Sequence, residues 1–149
     1  MTALPAGPIL FDTTIYIRFI RGEKYEWLGE DSRLFQRTIL TAVVAAELYA
    51  GTRTPRDKRA LDGLCSGHRD LGHFSSPSAE TWIQAGVLMR RARALFGEIR
   101  FVHHFRDALI ALEAAHTRAA LVTEDVADFA RWKSLIASAG MTLKLFTPS

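Results

Sequence analysis

Residues 9–12 read Ile-Leu-Phe-Asp, a short apolar run that ends in a carboxylate. A brief apolar run closed by a polar residue is typical of a buried strand. Three further carboxylates stand within or directly after apolar sequence: Glu47 in TAVVAAELYAG, Asp107 in FRDALIALEAA and Asp125 in ALVTEDVADF. Burying an unpaired negative charge costs several kcal/mol or forces the group to bind a proton. Together with Asp12, these acids therefore predict a cation held between four carboxylates.

Short apolar runs alternate with helical patterns along the chain. Such alternation predicts a parallel sheet covered by helices on both faces, with ligands beyond the carboxyl ends of its strands. Asp12 and Asp125 both follow predicted strands, so both are expected at that edge. The predicted strands span residues 9–12, 37–41, 71–74, 120–123 and 141–146, and the predicted helices span residues 15–20, 42–50, 55–64, 77–96, 107–117 and 125–135.

The spacing of apolar and aromatic residues predicts the core. The longest helical pattern, residues 77–96, favours one buried face, formed by Trp82, Ala85, Leu88, Met89, Ala92 and Leu95. The first third of the chain is rich in aromatic residues, namely Tyr16, Phe19, Tyr25, Trp27 and Phe35. Most of these are expected in the core, and the remainder in an exposed groove for a partner helix.

Each acid alone also has a purely structural interpretation. Asp12 and Asp125 could cap the helices that come after them, and Asp107 could complement the dipole in the first turn of its helix. Glu47 is either a boundary residue that reaches solvent or a buried ligand. The four together favour a metal site, because crowded carboxylates raise one another's pKa and a divalent cation keeps them ionised. Oxygen-only ligands select Mg²⁺ or Mn²⁺ over zinc, for which His103 gives only a weak signal.

Charge and composition limit the class of protein. The net charge is +3 and the isoelectric point is about 9.4. Two basic clusters, within residues 53–59 and 90–100, fit either contact with a polyanion or ordinary solvated helix faces. A single cysteine, Cys65, excludes an internal disulfide and suits a reducing cytoplasm. No apolar stretch is long enough for a membrane span, and residues 1–12 lack the pattern of a signal peptide.

In this order and spacing, ILFDTTIYI, TAVVAAELYAG, FRDALIALEAA and LVTEDVADF resemble the PIN-domain ribonucleases, and within them the VapC-like toxins of prokaryotic toxin–antitoxin modules. The resemblance covers about residues 9–146. It implies a single α/β domain over residues 1–149, a three-layer α/β/α sandwich around a mostly parallel sheet. It also implies cleavage of RNA with Mg²⁺ or Mn²⁺, through a metal-activated water. The implied catalytic and metal-binding acids are Asp12, Glu47, Asp107 and Asp125.

Several residues beside the acids matter to this resemblance. Thr123 matches a hydroxyl often present beside the fourth acid, and Thr13 is a second orienting group. Thr14 stands where family members commonly carry Asn or Ser, and His-His-Phe-Arg precedes Asp107 in place of the usual approach. Asp128 competes with Asp125 for the fourth acidic position. We prefer Asp125 because it directly follows the predicted strand.

The resemblance also implies partners. VapC-like toxins are held inactive by a cognate antitoxin that wraps an apolar groove, and they usually form homodimers. RNA is the implied substrate, with Arg18, Arg53 and Arg106 as candidate contacts to its backbone. An alternative function is a non-catalytic module on the same fold that binds RNA or a protein partner. The acidic pocket argues against it, because a binder of phosphates gains nothing from negative charge.

Overall fold

A computed structural model of the protein describes residues 4–98 and 100–148. Residues 1–3 and 149, the ends of the predicted 1–149 domain, therefore lie outside the described part, as does residue 99. The described chain forms a five-stranded sheet with the order β3-β2-β1-β4-β5, and every pair is parallel. The strands are β1 (Ile9–Phe11), β2 (Thr38–Thr41), β3 (Phe74–Ser75), β4 (Ala120–Val122) and β5 (Lys144–Phe146).

The opening run of the sequence forms the central strand. All three residues of β1 are buried, with Ile9 opposite Thr38 of β2 on one side and opposite Ala120 of β4 on the other. A strand that is buried on both faces reads as a continuous apolar run, which is the pattern of residues 9–11. Because β1 and β4 are parallel and in register, the residues directly after them meet at one edge of the sheet.

Helices occupy most of the remaining chain. Helices α1, α3 and α4 pack in one group, and α5, α6 and α7 pack in another. This arrangement agrees with the expected α/β/α sandwich. The helices are α1 (Thr13–Ile20), α2 (Ser32–Gln36), α3 (Ala42–Ala50), α4 (Pro55–Asp70), α5 (Ala79–Phe96), α6 (Phe101–His116) and α7 (Val126–Ser138), and a 3₁₀ turn spans Glu26–Gly29.

Helix α6 begins earlier than the sequence pattern predicted. It starts at Phe101, so His-His-Phe-Arg, residues 103–106, lies within its first two turns, whereas the predicted start was Asp107. The pattern beginning at Asp107 marks only where burial begins: residues 108–114 are all buried, while residues 101–103 are exposed. Asp107 consequently lies in the second turn, and the interpretation that it complements the dipole of the first turn was wrong.

The predicted buried face of α5 was correct in its centre and wrong at its ends. Ala85, Leu88, Met89 and Ala92 are buried, but Trp82 is 49% exposed and Leu95 is 66% exposed. Thr81 is buried in the first turn where Trp82 was expected. The helix therefore presents a narrower face to the core than its apolar spacing suggested. Among the helices described, none is long and apolar enough to cross a membrane.

The aromatic residues of the first third of the chain line both the core and a cavity. Tyr16 and Tyr25 are buried, as predicted for the core, Phe19 and Trp27 are half-buried against it, and Phe35 is half-buried. Tyr16, Phe19 and Phe35 also line a cavity of about 510 Å³ between α1, α2 and α4. This cavity lies among the residues whose aromatic density indicated a groove.

Candidate active site

Asp12 lies at the junction of β1 and α1 and is only 4% exposed. Its Oδ1 accepts a 2.7 Å hydrogen bond from the Thr13 backbone N–H, so the residue caps α1. Its Oδ2 accepts hydrogen bonds from the hydroxyls of Thr123 at 2.9 Å and Thr14 at 3.1 Å. Burial raises the pKa of Asp12, and these hydrogen bonds offset part of that effect. Thr14, which departs from the Asn or Ser common in the family, thus still donates a hydrogen bond to Asp12.

Glu47 reaches the same region from the second half of α3. Its Oε1 accepts a hydrogen bond from the Thr13 hydroxyl at 3.1 Å, and its Oε2 pairs with Arg106 Nη1 at 2.8 Å. Burial raises the pKa of Glu47, and the positive charge of Arg106 acts against that rise. The side chain is 19% exposed. Glu47 is therefore a half-buried carboxylate paired with Arg106. Its burial is intermediate between the solvent-reaching boundary residue and the buried ligand that the sequence allowed.

Asp107 projects from α6, and its carboxyl is the most perturbed acid in this region. Burial, followed by the negative charges of Asp12 and Glu47, raises the pKa of Asp107 to about 7. Its one close ionic neighbour in the described structure is His103, whose Nε2 lies 3.6 Å from Asp107 Oδ2. The repulsion shows that the three carboxylates interact electrostatically although they come from different elements.

Asp125 and Asp128 occupy different positions at the start of α7. Asp125 is the exposed N-cap residue, and its backbone N–H donates a 2.9 Å hydrogen bond to the Thr123 hydroxyl, which in turn donates to Asp12. The charge of Asp125 raises the pKa of both Asp12 and Asp107; Asp128 raises the pKa of Asp107 more than Asp125 does, but is not among the causes for Asp12. The Thr123 connection to Asp12 therefore favours Asp125 as the fourth acid.

The donor chemistry of these residues fits a hard divalent cation. All four acids offer oxygen, and a cation would relieve the repulsion that raises the pKa of Asp107. Within residues 4–98 and 100–148, no three acidic, histidine or cysteine side chains lie close enough together to hold one ion as they are placed. Glu47 is turned to Arg106, and Asp107 is turned to His103. For one ion to be held by these carboxylates, Glu47 and Asp107 would have to exchange their present partners for it.

Sequence reasoning missed the residue that holds the loop after β4. Glu124 pairs with Arg18 Nε at 2.9 Å and accepts a hydrogen bond from the Tyr25 hydroxyl. Arg18, a candidate RNA contact, is therefore engaged within the protein. No local pattern could reveal these contacts, because about a hundred residues of sequence separate Glu124 from both partners.

Comparison with solved structures places this geometry in a known fold. VapBC2 from Rickettsia felis, bound to a DNA fragment from its promoter, matches with a TM-score of 0.62 and 19% identity, over 93% of this chain and 97% of that chain. FitAcB from Neisseria gonorrhoeae matches with a TM-score of 0.64 and 20% identity, over 93% and 96%. VapBC-1 from nontypeable Haemophilus influenzae gives 0.61 and 19%, over 93% and 96%. No protein-family model and no curated sequence matches the chain.

The chain has a VapC-like PIN fold. This confirms the fold class that the motifs implied, with a sheet that is parallel throughout its described strands. Within the PIN fold, Asp12 and Asp125 come after neighbouring strands, while Glu47 and Asp107 project from α3 and α6. Four separate elements therefore contribute the four predicted acids to one region at the carboxyl edge of the sheet.

Proposed function

We propose that this chain is a divalent-metal-dependent endoribonuclease that acts as the toxin of a cytoplasmic toxin–antitoxin module. The observation that carries the proposal is that Thr13 donates hydrogen bonds to both Asp12 and Glu47, while burial and the charges of these two acids raise the pKa of Asp107 to about 7. A fold gains nothing in stability from carboxylates that repel one another in a half-buried region. Perturbed pairs of this kind are typical of functional sites.

In this proposal, Asp12, Glu47, Asp107 and Asp125 hold Mg²⁺ or Mn²⁺. When bound, the cation supplies an activated water and stabilises charge at the scissile phosphate. Thr123 orients the Asp12 carboxylate through its 2.9 Å hydrogen bond, and Thr13 does the same for Glu47. All of these contacts lie at the edge of the sheet where parallel α/β proteins collect ligands.

The proposed protein partners are a cognate antitoxin and a second copy of the chain. The cavity of about 510 Å³ between α1, α2 and α4 supports the antitoxin, because its lining is largely apolar. Within the described structure, Tyr16 Oη and His68 Nε2 are buried without hydrogen-bond partners, and both residues line this cavity. A polypeptide segment carrying polar groups would satisfy them.

RNA cleavage by the purified protein tests the proposal directly. We expect the wild type to cleave RNA with millimolar Mg²⁺ or Mn²⁺ and not with excess chelator. Asp107→Asn should not cleave RNA, although it should be folded to the same extent as the wild type. Asp70→Asn is the matched control, because Asp70 is exposed at the end of α4 and far from the acids in sequence. Metal-dependent cleavage that Asp107→Asn retains in full contradicts the proposed site.

The same assay separates the alternative function, a non-catalytic binding module on the PIN fold. That module would bind RNA or a protein partner while leaving RNA intact at any metal concentration. Its affinity for RNA would increase on neutralising Asp107, because a negative charge beside a phosphate is repulsive. The nuclease loses its activity with the same substitution, so the two functions give opposite results.

A further inference from the structure

Both carboxylate oxygens of Glu47 have partners within the protein. Oε1 accepts the hydrogen bond from the Thr13 hydroxyl at 3.1 Å, and Oε2 lies 2.8 Å from Arg106 Nη1. A cation bound directly by Glu47 needs at least one of these oxygens, and a bound cation repels a guanidinium beside it. The Thr13 hydroxyl carries no charge, so Arg106 is the partner that has to move.

The position of Arg106 beside Glu47 leaves part of its guanidinium unsatisfied. A guanidinium has five N–H donors, and the contact with Glu47 uses one of them. Within the described structure, Arg106 Nε is buried without a hydrogen-bond partner, which costs free energy. The side chain as a whole is 39% exposed, so it has room to turn. The guanidinium would therefore gain from a second acceptor.

A cavity of about 410 Å³ adjoins the Glu47–Arg106 pair, and both residues line it. Most of the other lining residues are apolar, among them Val43, Trp82 and Leu109. In the described part of the chain, Arg106 is the one positively charged residue on this wall. A positive charge in apolar surroundings attracts an anion more strongly than it does in water. The cavity thus gives an anion access to Arg106 directly beside one of the four predicted acids.

A phosphodiester is the anion that the proposed function brings to these acids. The planar guanidinium can donate to two phosphate oxygens at once, in a strong charge-assisted pairing. We propose that Arg106 switches partners, pairing with Glu47 in the free protein and with a phosphodiester oxyanion of the substrate once Glu47 binds the cation. The inference rests on the proposed nuclease function. It adds that metal and substrate promote each other's binding, because both favour the same position of Arg106.

The test measures the affinity for Mn²⁺ by calorimetry at increasing concentrations of dimethyl phosphate, a small phosphodiester monoanion. Ionic strength is held constant, and the neutral trimethyl phosphate is the ligand control. In the wild type, dimethyl phosphate should raise the affinity for Mn²⁺ about fivefold, at the lower end of typical coupling between two sites. In Arg106→Gln the anion should change that affinity by less than about twofold, because the switching group is absent. Arg93→Gln removes an exposed positive charge from α5 and should behave like the wild type.

A second measurement needs no variant. The Nε–H resonance of Arg106 in nitrogen-15 NMR spectra reports the surroundings of the buried, unpaired Nε. This resonance should shift when Mg²⁺ and dimethyl phosphate are added together, because Nε then leaves its present surroundings and gains an acceptor. A resonance that stays in place overturns the switch.

The calorimetric results separate the switch from the proposed function. A dependence on dimethyl phosphate that only Arg106→Gln loses supports the switch. Equal dependence in the wild type and Arg106→Gln, loss in Arg93→Gln as well, or an equal effect of trimethyl phosphate overturns it. Mn²⁺ binding and RNA cleavage without any dependence overturn the switch and leave the nuclease function intact. The absence of Mn²⁺ binding by all three proteins overturns both.

Discussion

The hydroxyl of Thr123 donates a 2.9 Å hydrogen bond to Asp12 Oδ2, across 111 residues of sequence. Thr123 directly follows β4 and Asp12 directly follows β1, two neighbouring parallel strands. Both residues are buried, so the contact is shielded from water. The bond therefore holds the Asp12 carboxylate in one orientation and connects it, through the backbone of Asp125, to the start of α7.

Asp12 should matter far more for activity than for stability. Asp12→Asn keeps the shape of the side chain and removes a buried charge whose pKa is raised by burial. We expect the free energy of unfolding to change by less than about 1 kcal/mol. RNA cleavage should fall by more than roughly 10–100-fold, the loss that typically follows removal of a residue that only hydrogen-bonds to a metal ligand. Thr123→Val, with Thr123→Ser as its matched control, should fall within that roughly 10–100-fold range. Cleavage by Asp12→Asn at the wild-type rate would contradict the assignment.

The metal-free protein should lose stability as the pH rises. The pKa of Asp107 is about 7 in the folded protein against an ordinary value of 3.8, so between these the folded state binds more protons than the unfolded state. The Asp107 carboxyl contributes to the free energy of unfolding fully below about pH 4, and this contribution is lost as the pH rises through about 7. The total loss is at most about 4 kcal/mol. Thermal unfolding between these limits measures it.

Asp107→Asn should flatten that pH profile, because the asparagine cannot ionise. Mg²⁺ added at the alkaline end should restore stability to the wild type and much less to the variant, since ligand bound only to the folded state stabilises it. An identical pH profile for both proteins would mean that the charge of Asp107 does not determine this dependence.

Local periodicity in the sequence predicted the central strand, but it could not predict contacts between distant segments. The apolar run at residues 9–11 indicated that strand because it is buried on both faces. Trp82 was assigned to the core because its spacing fits the buried face of α5, yet it packs beside Phe105 of α6 and stays half exposed. The sequence pattern placed the start of this helix at Asp107, whereas α6 begins at Phe101, so the turn that carries Phe105 was missed.

The acids could be selected from sequence, but their partners could not. Asp12 and Asp125 were predicted at one edge because each comes after a predicted strand, and parallel pairing of β1 and β4 places both there. The pairing of Glu47 with Arg106 joins residues 59 apart on two helices, so it depends on how α3 and α6 approach each other. Helix packing is a tertiary property that periodicity alone does not encode.

Arg106 should compete with the metal for Glu47. Its Nη1 lies 2.8 Å from Glu47 Oε2, so a cation that binds Glu47 must displace or approach a positive charge. Arg106→Gln should therefore increase the affinity for Mn²⁺ by up to about tenfold, which corresponds to about 1.4 kcal/mol. Stability should fall by no more than about 1 kcal/mol, because the pair is partly exposed. Calorimetric titration of Mn²⁺ measures the affinity, with Arg93→Gln as an exposed control on α5. Weaker Mn²⁺ binding by Arg106→Gln would place Arg106 outside this competition.

Asp125 and Asp128 should differ in their effect on cleavage. Asp125 is connected to Asp12 through Thr123, and its charge acts on both Asp12 and Asp107. Asp128 lies a turn further along α7, where it lines a small cavity with His104. Asp125→Asn should therefore reduce Mg²⁺-dependent cleavage about 10-fold or more, whereas Asp128→Asn should stay within a few-fold of the wild type. Both acids are exposed, so neither substitution should change the free energy of unfolding by more than about 0.5 kcal/mol. The test compares the cleavage rates of the two variants at saturating metal and equal folding. A larger loss in Asp128→Asn than in Asp125→Asn would assign the fourth acidic position to Asp128.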